Sequence, residues 1–126
     1  MHAVVALALP AVEAFDLAIP AQVFADPGLP RRYDFSVCAP AAGLVRSTAG
    51  FSVQAEHGLE ALAVADTVVV PGYLPLDDPG ERVCLALREA AARGARMVSV
   101  CTGAFALAAA GLLDHRRATL TAASLP

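Results

Sequence analysis

The stretch Met97–Gly111, MVSVCTGAFALAAAG, runs an apolar segment into Cys101 and follows it with small residues that begin a helix. A thiol at such a seam is either a small hydrophobe in the packing or a nucleophile on a strand-to-helix elbow. An elbow folds the backbone closely on itself and needs small neighbours. Ser99 lies two residues before Cys101 and Gly103 two residues after, so S-V-C-T-G meets that steric requirement. A helix beginning here would aim its unpaired N–H groups at the sulfur and favour the thiolate.

A nucleophile needs donors for developing charge and a group to move a proton. The N–H of Gly72, in VVVPGY, could join the N–H of Thr102 as a two-donor oxyanion hole; Gly72 is otherwise an ordinary turn glycine. The Thr102 hydroxyl could orient a water. Asp16 sits among apolar residues near the end of the first apolar run. Burial there would raise its pKa and let it share a proton with the thiol; the competing reading is a helix-surface acid. Glu13 is the alternative carboxylate and is expected to be the more exposed of the two. Tyr73 either lines the pocket mouth as a ligand contact or is a plain exposed aromatic. His2, His57 and His115 have no evident cysteine partner, and Cys38 and Cys84 read as packing residues.

The elements that must position these groups alternate in type. Ala3–Leu9 is continuously apolar, as a strand buried on both faces is. Ala11–Asp26 places Val12, Phe15, Ile19 and Phe24 near helical spacing, and Pro20 inside it predicts a kink or a restart. Tyr33–Pro40 alternates and predicts a second strand. The segment around Gly43 and Gly50 predicts a small hairpin. Ala65–Tyr73 is a third buried strand ending at Pro71-Gly72. A helix follows, with Asp78 as its cap, Pro79 near its first turn and Gly94 at its end. Ala95–Val100 is a fourth buried strand, and the helix after it closes at Gly111. Arg116–Ala122 predicts a fifth strand. Such alternation means an α/β fold with a mostly parallel sheet covered on both faces, whose ligands sit beyond the carboxyl ends of the strands.

Composition narrows the function. The chain has 126 residues, 57% hydrophobic and 17% charged, which suits one domain with a real core rather than a disordered segment. Its net charge is -3 and its nine cations are all arginine, scattered rather than striped, so nucleic acid is not an expected partner of this chain. The absence of lysine and the abundance of alanine fit a GC-rich bacterial genome. Three cysteines without metal-like spacing suggest reduced cytoplasmic thiols, with no metal and no cofactor. AVVALALP lacks a basic leader, and no run approaches the roughly 20 apolar residues of a membrane helix.

VSVCTGAFALAAAGLLD, together with VVVPG and AFDLAIPAQVF, resembles the ThiJ/PfpI superfamily of class I glutamine amidotransferase-like domains. The resemblance runs over essentially the whole chain. It is nearest to the N-terminal domains of AraC-type transcriptional regulators, with isonitrile hydratase-like enzymes nearby. It implies a flavodoxin-like three-layer sandwich, often dimeric. It puts Cys101 at the elbow cysteine with Thr102 after it, Asp16 at the acidic position that contacts that cysteine, and Gly72 at the oxyanion-side turn. Tyr73 stands where many members have a second glycine. Thr121 stands about where a family histidine would be. Family domains continue beyond Pro126, so a domain truncated at its C-terminal end is expected, with no DNA-binding domain in this chain. The implied function is sensing of a small-molecule ligand within an AraC-type regulator, by a homodimer. The alternative is a cysteine-dependent hydratase or hydrolase.

Overall fold

A computed structural model of the chain describes residues 1–28 and 32–114. His115, Thr121 and the expected strand Arg116–Ala122 lie outside the described residues. Four parallel strands form the central sheet: β1 (His2–Leu7), β2 (Tyr33–Cys38), β5 (Thr67–Val70) and β6 (Arg96–Ser99), in the order β2-β1-β5-β6. Between them β3 (Gly43–Arg46) and β4 (Ser52–Ala55) pair as an antiparallel hairpin. The helices are α1 (Ala14–Phe24), α2 (Glu81–Ala92) and α3 (Ala104–Ala109), and a 3-10 segment covers Leu59–Val64.

Strand side chains alternate between faces, and this divides the core in two. Val5 and Leu7 of β1 join Val68 and Val70 of β5 under α2, with Leu62, Leu87 and Ala90. Val4 and Ala6 join Val69 on the opposite face, with Leu17 of α1 and Val45 of the hairpin. Both faces of β1 and β5 are therefore dry, which explains their unbroken apolar sequence. Each wholly buried leucine or valine contributes about 1.5–3 kcal/mol. On α2, Val83, Cys84, Leu87 and Ala90 face inward, and Arg93 donates to the carbonyls of Leu62 and Ala65 at 2.9 Å each.

Three local expectations need correction. First, α1 begins at Ala14 rather than Ala11 and runs through Pro20 as one helix, so of the two expectations for Pro20 the restart is not made. Its inward face is Asp16, Leu17 and Pro20. Phe15 is 76% exposed, Ile19 40% and Val23 57%, so Phe15 and Ile19 are outward. Second, the residue before α2 is Gly80, at φ 99, and no side chain caps the helix. Asp78 instead accepts the Gly80 N–H at 2.8 Å, a turn of its own ahead of the helix. Third, the helix behind Cys101 is short: a 3-10 turn over Cys101–Gly103 leads into the six residues of α3. Gly94 and Gly111 do stand just past α2 and α3, at φ 99 and φ 81.

Candidate functional site

Three chain segments meet beyond the carboxyl ends of β1, β5 and β6. They are Ala11–Glu13, Pro71–Tyr73 and Val100–Gly103. Backbone hydrogen bonds lock them together: Glu13 N–H donates to Gly72 O at 2.8 Å, Leu74 N–H to Ala11 O at 3.1 Å, and Val100 N–H to Val70 O at 3.0 Å. The hairpin is tied on as well. Val12 N–H donates to Arg46 O at 3.2 Å, and Thr48 N–H to Val12 O at 3.0 Å.

Cys101 sits at φ 51. A side chain is costly in that region, and such residues cluster at functional sites. The sharp reversal needs Gly103, because a Cβ there would run into the carbonyl oxygen of Val70. The thiol is partly exposed, whereas Cys38 and Cys84 are buried in the core, and none of the three is in a disulfide. Burial pushes the Cys38 thiol up to about 12, a value for an inert packing residue.

Gly72 is the corner on which the other groups converge. A Cβ built on it would lie 2.5 Å from Thr102 Oγ1, 2.6 Å from Asp16 Oδ2 and 3.3 Å from Glu13 Cγ. Glycine is required here by close approach. The Gly72 N–H donates to Asp16 Oδ2 at 3.2 Å, so the proposed oxyanion donor is already engaged by a carboxyl group. Thr102 is buried, and its Oγ1 accepts the Tyr73 N–H at 3.2 Å. Only the backbone of Tyr73 faces this corner. Its ring is 4% exposed, within the α2-side core, and its hydroxyl has no hydrogen-bond partner among the described residues. Tyr73 is thus not an exposed aromatic.

Asp16 is buried, and burial raises its pKa above the ordinary aspartate value of 3.8. The Gly72 N–H pulls the other way, and the charge of Glu13 adds to the rise. The folded state therefore holds this proton more tightly than the unfolded chain. The stability from the neutral carboxyl is full below the unfolded pKa and is lost as pH rises through the folded one. Asp16→Asn keeps an oxygen for the Gly72 N–H and carries no charge. Its stability relative to the parent is expected to increase as pH rises from 4 to 7, read from urea midpoints. A difference that does not change over that range contradicts this account of Asp16.

Glu13 joins the site, whereas its sequence position suggested only a competitor to Asp16. It is half-buried and occupies the residue before α1, yet it caps nothing. Its Oε2 accepts from Thr48 Oγ1 at 3.2 Å, across to the hairpin. No spacing signal links residues 13 and 48; only the fold brings them together. His2 lies at the opposite end of the sheet, where its Nε2 is 2.8 Å from Thr67 Oγ1. His57 is bridged to Cys38, the last residue of β2. Among the described residues, no group of three or more His, Cys, Asp or Glu could hold a metal ion, and no helix is long and apolar enough to cross a membrane.

The DJ-1/PfpI family model matches residues 1–124. The chain belongs to the DJ-1/PfpI family. A Streptomyces lividans protein, described as an uncharacterized protein in the cpoL 5' region, is 41% identical to this DJ-1/PfpI domain over 121 residues, covering 94% of this chain and 86% of that protein. The HTH-type transcriptional regulator CdhR of Pseudomonas aeruginosa is 37% identical over 89 residues, 70% of this chain but 26% of the regulator. Among solved structures, an AraC family transcriptional regulator from Pseudomonas putida superposes with a TM-score of 0.68 at 25% identity, over 92% of this chain and 64% of that one. The DJ-1/PfpI domain thus resembles domains of transcriptional regulators, and its four parallel strands with flanking helices have the family's flavodoxin-like architecture.

Proposed function

We propose that this DJ-1/PfpI domain is a cytoplasmic sensor: it binds a small molecule in the crevice at Cys101, Gly72 and Asp16, and serves a transcriptional regulator without turning the ligand over. The observation that carries the reading is the likeness to CdhR across 70% of the chain. The site geometry supports it. A hydratase or hydrolase would use the Gly72 N–H to hold developing charge, and that hydrogen is committed to Asp16. Cys101, Thr102 and Gly103 form the floor of the crevice, with the thiol as the ligand contact. The working form is a homodimer. The Phe15, Ile19 and Val23 stripe recurs every four residues along α1, and a second copy would cover it.

The test is a thermal-shift screen with a panel of small neutral and cationic metabolites, followed by NMR of each compound that binds. A sensor is stabilised by about 10 °C at about 100 times Kd, and the compound stays unchanged over hours. Consumption of the compound, lost in Cys101→Ser, would instead establish the cysteine-dependent hydratase or hydrolase. Light scattering of the same sample is expected to read twice the 12.9 kDa chain mass. A monomer mass refutes the dimer.

A further inference from the structure

We draw no further inference here: the strongest candidate, the largely apolar hollow of about 180 Å³ between the 3-10 segment Leu59–Val64 and α2, lined by Leu62 and Ala90 with Glu89 and Arg93 beside them, carries no proposal because nothing in the structure shows what covers it.

Discussion

Gly103→Ala is expected to destabilise the protein by at least about 3 kcal/mol, enough to leave much of it unfolded at 37 °C. Gly103 has an ordinary helical φ of -57, so the cost does not come from backbone conformation. It comes from proximity. The added methyl would overlap the Val70 carbonyl oxygen and come within 2.7 Å of its carbon. That carbonyl cannot step aside, because it accepts the Val100 N–H at 3.0 Å and so holds β5 to the segment that ends β6. Gly50→Ala is the internal control. Gly50 has φ 84 and open space around it, so its cost is the strain alone, about 1 kcal/mol. Urea midpoints of the two variants give the comparison. Equal losses would mean that the elbow is looser than these distances require.

Gly72→Ala is the second large effect, and it acts on side chains rather than backbone. The new methyl would displace Thr102 Oγ1 and Asp16 Oδ2 together. Both are bonded to the same short segment, Thr102 to the Tyr73 N–H and Asp16 to the Gly72 N–H, so both hydrogen bonds are strained at once. Overpacking costs about 1–3 kcal/mol, and a buried donor left without its partner costs about as much again. Thr102→Ala removes one of the colliding atoms. The double variant Gly72→Ala/Thr102→Ala is therefore expected to lose less stability than the two single losses added together. Strict additivity would show that the methyl is accommodated elsewhere.

These residues also show what a sequence can reveal. The strands were legible because β1 and β5 are dry on both faces and therefore apolar without interruption. The tight turn at Cys101 was legible because close backbone approach leaves a trail of small residues around it. The facing of α1 was not. Phe15, Leu17 and Ile19 spread apolar character around the helix, so spacing carries no phase, and it is Asp16 that turns inward. The burial of Tyr73 was not legible, because its backbone N–H meets Thr102 while its ring packs in the core, a division that residue identity does not record. Glu13 was weighed only against Asp16, since its contact with Thr48 depends on where the hairpin docks.

The strand order has a consequence for how the protein is made. β1 precedes both of its partners in the chain, yet it lies inside the sheet, between a strand that begins at Tyr33 and another that begins at Thr67. This apolar strand therefore waits for both partners, with the Cys101 turn arriving later still. Pairings this distant in sequence make for slow folding. A chain stopped before Val70 lacks β6 and the Cys101 segment, and it can complete neither its sheet nor the corner at Gly72.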